Sequence, residues 1–312
     1  MLVVRSYHDV PAGARGGVLT IGNFDGVHRG HQAVIAEVRA RAVSLGAPAG
    51  AMLFDPHPRA FFKPEPPLFT LTPMELRLEL LAGVGLDFAA VLPFNAALAG
   101  LSATDFITQV LVGGFAVRQV VIGHDFSFGK GRTGNQALLE AEGRRLGFSV
   151  SALDPVADAS AALSSSRVRQ ALAAGDVAGA ARQLGRWWRI DGNVISGAGR
   201  GAGLGYPTAN IALPAGTELA LGIYAARVWV DGVPHPAVAY YGKRPVFDDG
   251  KPGFESFLID YDGDLYGKCI RIDLVSHIRG DRKFDGVEAL KRQMDRDVAD
   301  ALERLTLDAV RP

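Results

Sequence analysis

The pattern of apolar residues changes once along this chain of 312 residues, near Gly185, and the change predicts two separate cores. Before it, short apolar runs alternate with Ala- and Leu-rich amphipathic stretches, which indicates βαβ units around a parallel sheet. After it, β-branched and aromatic runs are broken by Gly, Pro and Asp-Gly turns, which indicates an antiparallel sheet or small barrel. We therefore predict an α/β domain over residues 1–185 and an antiparallel β-barrel domain over residues 186–312.

The same patterns predict the bounds of individual elements. Strands of the parallel sheet are expected at residues 17–21, 49–54, 88–92, 119–122 and 148–153. Helices are expected at residues 32–44, 73–81, 103–111, 135–146 and 177–184, with Thr72 and Pro73 as an N-cap and first-turn pair. Barrel strands are expected at residues 188–195, 223–230, 237–241, 254–261 and 268–274, with hairpin turns at Asp231-Gly232 and Asp262-Gly263. A final amphipathic helix at residues 286–307 should pack on the barrel.

The charge balance and the cysteine count limit the classes of partner. Lys plus Arg and Asp plus Glu number 33 each, so no net field attracts a polyanion, and we predict no nucleic-acid partner. The single cysteine, Cys269, excludes an intrachain disulfide and fits a cytoplasmic protein. No apolar run predicts a membrane span, and Arg5 and Asp9 interrupt the N-terminal one. The oligomeric state stays open, a transient homo-oligomer included.

A predicted strand runs directly into GNFDGVHRGH, residues 22–31, and a helix follows. A Gly-rich turn before a helix N-terminus cradles phosphate, because backbone N–H groups and the helix dipole converge there. His28 and His31, with Gly30 between them, are able to face one site and stabilise charge on a phosphorus atom. Two alternatives remain: the histidines simply satisfy the turn, or they bind zinc, although no third ligand follows at regular spacing.

His28-Arg29-Gly30-His31 matches the HxGH signature of nucleotidyltransferases, which class I aminoacyl-tRNA synthetases share. The longer string resembles the FAD synthetase branch of the bacterial bifunctional riboflavin kinase/FAD synthetases. The resemblance implies a Rossmann-like nucleotidyltransferase fold for the first domain. It also implies that Gly22, Asn23, Phe24 and Gly30 contact the nucleotide or flavin.

Two further segments resemble that branch. Phe54-Asp55-Pro56-His57-Pro58 is similar to its flavin-side loop, which implies flavin contacts for Phe54, Pro56 and Pro58; the alternative is a rigid Pro-rich turn. The segment from Gly123 to Gly129 follows a strand at the carboxyl edge of the sheet, where α/β folds bind ligands. There the resemblance implies ligand contacts for Asp125, Phe126 and Phe128; the alternative is that both phenylalanines belong to the core.

A third segment, Leu163-Ser164-Ser165-Ser166-Arg167-Val168-Arg169, combines hydroxyl and guanidinium groups that donate to phosphate oxygens. It resembles the ISSTxIR motif of the family, which closes over ATP phosphates. The resemblance implies catalytic roles for Ser165 and Arg167 beside the histidines, and binding roles for Ser164 and Ser166. The alternative is a solvated Ser-rich linker.

In the second domain a Gly-rich run ends in Pro207-Thr208-Ala209-Asn210. Thr208 and Asn210 lie two apart, so in an extended segment their oxygens face the same side and suit one Mg²⁺ with the nucleotide phosphates. The stretch resembles the GxPTAN signature of riboflavin kinases. That resemblance implies ligand contacts at a set of positions along the domain: Gly199, Arg200, Gly205, Pro207, Tyr224 and Arg279.

Phosphorylation of an alcohol requires a group that takes the hydroxyl proton, and the family's base aligns with Glu255. Without the resemblance, Glu255 reads as a solvent-facing acid of an edge strand. The chain departs from the family at Tyr240, Tyr241 and Val246, so an amide and a hydroxyl are missing near the predicted flavin and nucleotide site.

The resemblance therefore implies a Mg²⁺-dependent enzyme with ATP, riboflavin, FMN and FAD as substrates or products. Riboflavin and ATP would give FMN, and FMN with a second ATP would give FAD. The alternatives are an FMN adenylyltransferase whose kinase domain is weak or inactive, a non-enzymatic flavin-binding module, and a nucleic-acid ligase. The neutral charge and the absence of a basic anticodon-type domain argue against the last.

Overall fold

The computed structural model describes residues 1–154, 163–196, 203, 205–243 and 252–307. Their contacts divide the chain into two compact units. The first comprises Met1–Leu68 and Thr72–Ser164, and the second Phe69–Leu71 and Ser165–Pro312. No helix within the described ranges is long and apolar enough to cross a lipid bilayer.

The first unit is built on a six-stranded parallel sheet with the strand order β1-β4-β3-β2-β5-β6. The strands are β1 Leu2–Val4, β2 Val18–Ile21, β3 Ala49–Asp55, β4 Phe88–Pro93, β5 Gln119–Gly123 and β6 Ser149–Leu153. Five of them confirm the predicted strands. β1 was not predicted, because three residues are too short for a period to show.

Helices cover both faces of this sheet, which buries its central strands on each side. They are α1 Arg29–Leu45, α2 Pro58–Phe62, α3 Met74–Gly83, α4 Ala96–Gly100, α5 Ala103–Asp105 and α6 Gln136–Leu146, with 3₁₀ turns at Ala12–Ala14 and Lys130–Arg132. On one face, Ile35 and Val38 of α1 pack with Val18 and Leu53. On the other face, a second apolar cluster gathers around Phe88.

Two helical predictions need correction. The stretch after α5 continues as a π-helix, Phe106–Gly114, rather than as the predicted α-helix over residues 103–111. Thr72 does not cap α3, which begins at Met74 after Pro73. The Thr72 side chain is fully buried and hydrogen-bonds to Asp25 and Gly26 instead, because those polar groups have no access to water.

The second unit begins with the helices α7 Ser165–Ala173 and α8 Val177–Leu184. A closed antiparallel barrel follows, in the order β10-β11-β8-β7-β12-β9, with β9 paired to β10. Its strands are β7 Trp188–Ile195, β8 Ala209–Ile211, β9 Gly222–Val230, β10 Val233–Lys243, β11 Pro252–Leu258 and β12 Cys269–Arg279. The last helix, α9 Val287–Leu307, packs Ala301 and Leu305 against Val275, as predicted for an amphipathic helix.

The two predicted hairpins have different outcomes. Asp231-Gly232 joins β9 to β10 with φ values of 49° and 82°, which confirms a tight turn of two left-handed residues. The prediction of a hairpin at Asp262-Gly263 is wrong, because the strands on either side of it do not pair: β11 pairs with β10 and β8, and β12 pairs with β7 and β9. Closure of the barrel inserts β8 and β7 between them. It also makes β11 an interior strand, so Glu255 is not an edge-strand acid.

Candidate active sites

The histidine turn, residues 22–31, connects β2 to α1 and brings His28 and His31 together. His28 is the N-cap of α1, and its Nδ1 accepts a hydrogen bond from the His31 backbone N–H at 3.3 Å. The two imidazole rings stack with centroids 3.6 Å apart and planes 20° apart. Helix capping and side-chain stacking therefore place both rings at a helix N-terminus, where anions bind favourably.

Both histidines are neutral near pH 7. Burial lowers the pKa of His28 to about 4, against the opposing effect of the Asp25 carboxylate. Burial also lowers the pKa of His31 well below its usual value, and the proximity of His28 and Arg77 lowers it further. Because His28 Nδ1 is an acceptor, its single proton lies on Nε2. The pair therefore offers N–H donors rather than cations.

The backbone of the histidine turn is strained. Phe24 has φ of 51° and Val27 has φ of 43°, a left-handed conformation that non-glycine residues adopt at about 1–3 kcal/mol each. The Phe24 ring is buried and meets His31 edge to face at 5.1 Å. Strain of this kind persists only where the surroundings stabilise it, and it concentrates at functional sites.

Glycines and one amide complete the histidine turn. A Cβ on Gly30 would lie 3.1 Å from the His28 ring, and one on Gly22 would lie 3.3 Å from the Phe24 ring. The side-chain oxygen of Asn23 is buried without a hydrogen-bond partner, as is Nδ1 of His31. Buried polar atoms of this kind normally have partners, so these two are suited to a ligand.

The predicted flavin-side loop leads into a cluster of aromatic rings after β3. Phe54 is half-buried and meets Phe94 edge to face at 5.6 Å, while Pro58 begins α2. Pro56 is exposed. Sequence reasoning missed Phe61 and Phe62, which also contact Phe94 and expose 38% and 65% of their surface. The signal was present, because two adjacent phenylalanines in a short helix are seldom both buried.

The three predicted ligand-contact residues after β5 differ in how exposed they are. Asp125 is exposed, with 85% of its side chain accessible. Phe126 is half-buried and stacks on Phe128 with centroids 5.3 Å apart. Phe128 is only 8% exposed and packs against Phe106 at 5.7 Å, within the core.

The Ser-rich segment forms the start of a helix. Ser165, Ser166 and Arg167 belong to the first turn of α7, and Ser164 directly precedes it. Backbone N–H groups in a first turn have no acceptor within the helix. Hydroxyls and a guanidinium at such a terminus suit phosphate oxygens.

In the second unit, strand register brings Thr208, Asn210 and Glu255 together. Glu255 of β11 lies directly opposite Asn210 of β8. The Thr208 hydroxyl donates to Glu255 Oε2 at 3.0 Å, and Asn210 Nδ2 lies 3.4 Å from the Thr208 carbonyl oxygen. Glu255 is half-buried and Asn210 is 8% exposed.

These donors suit a hard cation. A hydroxyl, an amide oxygen and a carboxylate are oxygen ligands of the kind that Mg²⁺ takes beside nucleotide phosphates. Among the residues with described positions, no group of three or more His, Cys, Asp or Glu side chains is arranged to hold a metal. A cation bound by Thr208 and Asn210 would therefore need further oxygens from a ligand or water.

Two of the residues that depart from the family pattern, Tyr240 and Tyr241, carry hydroxyls that bond to other parts of the protein. Tyr240 lies opposite Glu255 on the other side of β11, and its hydroxyl donates to Asp281 at 3.1 Å. Tyr241 is buried and donates to the Thr217 carbonyl at 3.2 Å. Three predicted positions, Gly199, Arg200 and Val246, lie outside the described residues. Two others precede β8: Pro207 is exposed, and Gly205 has φ of 89°.

Tyr224 and Arg279, both predicted to contact ligand, have structural partners. Tyr224 is fully buried in the barrel core, and its hydroxyl donates to the Ala220 carbonyl. Arg279 forms two hydrogen bonds to the Asp297 carboxylate, at 2.9 and 2.7 Å. This ion pair links β12, which carries Arg279, to α9, which carries Asp297. The Asp297 side chain is buried, with 2% exposed, so the pair is shielded from water.

Sequence reasoning also missed a buried ion pair against the histidine turn. Asp25 and Arg77 approach to 3.2 Å, and about 5% of each side chain is accessible. A local signal existed, because Arg77 falls among the buried apolar residues Leu76 and Leu81 on α3. The partner was not apparent from the sequence.

Comparison with known proteins gives a family match for each part of the chain. Residues 10–167 match the model of the FAD synthetase family, and residues 184–305 match that of the riboflavin kinase family. The bifunctional riboflavin kinase/FMN adenylyltransferase of Pseudomonas fluorescens is 42% identical over 306 residues, covering 96% of this chain and 97% of that protein. The enzyme of the same name from Escherichia coli K12 is 36% identical, covering 97% of each.

A solved structure shares the fold over nearly the whole chain. It is titled a macrolide-efflux protein from Streptococcus pneumoniae, and it superposes with a TM-score of 0.86 at 28% identity, covering 96% of this chain and 98% of that one. The family matches and the full-length relatives together give the assignment. The chain belongs to the bifunctional riboflavin kinase/FMN adenylyltransferase family.

Proposed function

We propose that this protein converts riboflavin and ATP to FMN and ADP, and then FMN and a second ATP to FAD and pyrophosphate. Residues 186–312 perform the first reaction and residues 1–185 the second. The observation that carries the proposal is the presence of both constellations in one chain: stacked neutral histidines at a helix N-terminus, and a carboxylate hydrogen-bonded to a hydroxyl in a barrel. The full-length relatives of both activities support it.

In the kinase reaction, Glu255 takes the proton of the terminal ribityl hydroxyl as the γ-phosphoryl group moves to that oxygen. Its Oε2 already accepts a hydrogen bond from a hydroxyl, that of Thr208. Thr208 and Asn210 would hold Mg²⁺, which would neutralise phosphate charge when bound. The Gly-rich run with Gly199, Arg200 and Gly205 binds the polyphosphate.

In the adenylyl transfer, an FMN phosphate oxygen forms a bond to the α-phosphorus of ATP and the bond to pyrophosphate breaks. His28 and His31 donate hydrogen bonds from neutral imidazoles to the phosphate oxygens as negative charge develops. Ser165 and Arg167 of α7 provide further donors, and Arg167 provides a positive charge. Flavin lies against Phe54 and its neighbouring rings, because exposed aromatic faces favour stacking with a planar ring.

The cellular setting follows from the substrates. ATP and free flavins are small molecules, so catalysis requires neither nucleic acid nor a membrane. We infer a cytoplasmic enzyme, since the one cysteine in the sequence cannot form an intrachain disulfide. Size-exclusion chromatography with and without ATP and FMN would detect a transient homo-oligomer.

Product analysis tests the proposal directly. Purified protein is incubated with Mg²⁺, ATP and either riboflavin or FMN, and flavins are separated by chromatography. We expect FMN followed by FAD from riboflavin, and FAD alone from FMN. FAD from FMN without any FMN from riboflavin would favour the adenylyltransferase with an inactive kinase domain. Flavin binding without either product would favour the non-enzymatic module.

A further inference from the structure

Asp25, within the histidine turn, forms a buried polar cluster with Thr72 and Arg77 from outside the turn, and we call these three residues the clamp. Their exposed fractions are 3%, 0% and 4%. The Asp25 carboxylate accepts hydrogen bonds from the Thr72 N–H at 3.0 Å, the Thr72 hydroxyl at 3.1 Å and Arg77 Nη2 at 3.2 Å. A buried ion pair persists when such additional bonds satisfy its remaining donors and acceptors.

The clamp also bonds to the backbone of the turn. Arg77 Nη1 donates to the Asn23 carbonyl at 3.0 Å, and the Gly26 N–H donates to Thr72 Oγ1 at 2.9 Å. Each bonded residue is followed directly by one of the two non-glycine residues with positive φ, Phe24 and Val27. The clamp therefore holds the backbone at both places where the turn adopts a conformation that its side chains disfavour.

The two charges of the clamp act on different histidines. The Asp25 carboxylate raises the pKa of His28, opposing the effect of burial, whereas the Arg77 cation lowers the pKa of His31. Removing one charge would thus change both the backbone of the turn and the electrostatic environment of one imidazole. Clamp and histidines are mechanically and electrostatically connected.

We propose that Asp25, Thr72 and Arg77 are positioning residues for adenylyl transfer, which hold the histidine turn so that His28 and His31 are preorganised for phosphate. The inference rests on the proposed function of the turn. Preorganised donors stabilise developing charge without rearranging during the reaction, so a looser turn lowers kcat more than it weakens ATP binding.

The test is a variant series assayed for FAD formation from FMN, with riboflavin kinase activity of the same sample as an internal control. We expect Arg77→Met to lower kcat by about 100-fold and the KM for ATP to change by less than about threefold. Arg77→Lys keeps the cation without the planar fork and should recover about tenfold of the loss. In Arg77→Met, the His31 ring signals in NMR should titrate at higher pH than in the wild type, because a neighbouring cation is gone.

The matched control is Arg41→Met, which breaks an exposed ion pair with Glu37 on α1 (2.7 Å) and should leave both activities unchanged. Thr72→Val keeps the shape of the side chain and should lower the kcat of FAD formation by about tenfold; it decides the question if Arg77→Met does not fold. Wild-type kcat in folded Arg77→Met and Thr72→Val would overturn the inference, as would an equal loss in Arg41→Met. Absence of FAD formation in the wild type would instead overturn the proposed function.

Discussion

The histidine turn and the barrel site obtain their geometry from different parts of the structure. In the turn, two non-glycine residues with positive φ are held by side chains from α3 and the segment before it. In the barrel, Asn210 and Glu255 face each other because their strands pair in a fixed antiparallel register. The first geometry depends on a few buried side chains, and the second on backbone hydrogen bonds along two strands.

This difference predicts which substitutions each site tolerates. A site fixed by strand register keeps its geometry when one side chain is replaced, so only the reacting group itself has a large effect. A site fixed by a strained turn is sensitive also to residues that never touch substrate. The following three predictions test this contrast, from the largest expected effect to the smallest.

Glu255→Gln should reduce riboflavin kinase activity by about 10²–10⁴-fold, because the amide cannot take the hydroxyl proton. Conversion of FMN to FAD should be unchanged, and so should the unfolding transition followed by fluorescence of the tryptophans, all of which lie in the second unit. Glu303→Gln, at an exposed position on α9, is the control. Kinase activity within about threefold of wild type would exclude Glu255 as the base.

The stability of the first unit should decrease as the pH is lowered, and His28 should account for part of that decrease. Its pKa is 6.5 in the unfolded chain and about 4 in the folded one, so the unfolded state takes up the proton first. The contribution is complete above pH 6.5 and is lost as pH falls toward 4, by about 3 kcal/mol. We expect His28→Asn, which keeps an N-cap acceptor, to show a correspondingly weaker pH dependence.

The measurement for His28 is urea unfolding from pH 7 to 4, followed by circular dichroism for helices and by tryptophan fluorescence for the barrel. The unfolding transition of the first unit, which circular dichroism detects and tryptophan fluorescence does not, should differ between wild type and His28→Asn. The transition of the barrel should be the same in both proteins. Parallel pH curves for the two proteins would contradict the assignment of a buried, neutral His28.

Gly30→Ala should lower FAD formation by about tenfold, because a few tenths of an ångström of ring displacement moves the donors off the phosphate oxygens. The added Cβ would lie 3.1 Å from the His28 ring, and Gly30 does not have positive φ. Thermal stability should stay level or rise, since alanine favours the helix by up to about 1 kcal/mol. Gly83→Ala on α3, where a Cβ meets open space, is the control.

The sequence predicted the elements that long periodic patterns encode and missed those that tertiary pairing determines. Five strands of the sheet and the terminal helix have clear periods. β1 and β8 are three residues long, too short for a period, and pairing alone makes them strands. Asp262-Gly263 is a turn by composition, yet barrel closure decides that it is not a hairpin.

The candidate sites show the same limit. His28, His31, Thr208 and Glu255 were found because they lie in contiguous motifs that resemble a family. The ion pair of Asp25 and Arg77 joins residues 52 positions apart and belongs to no motif. Tyr224 and Arg279 carried the family pattern, yet in the structure their polar groups bond to Ala220 and Asp297. Sequence motifs therefore identify the chemistry of a site, whereas contacts between residues far apart in the sequence become apparent only from the fold.

The short segment Phe69–Leu71 has a consequence for dissecting the molecule. Phe69 and Leu71 are 3% and 1% exposed within the barrel unit, and Trp188 Nε1 donates to the Leu71 carbonyl at 2.9 Å. No single cleavage of the polypeptide therefore yields two complete halves. A fragment that begins at Ser165 would lack Phe69–Leu71 from its core. The complementary fragment would expose the apolar side chains of Phe69 and Leu71 to water. A barrel fragment that keeps its full core would therefore need residues 69–71 supplied at a new position in its sequence.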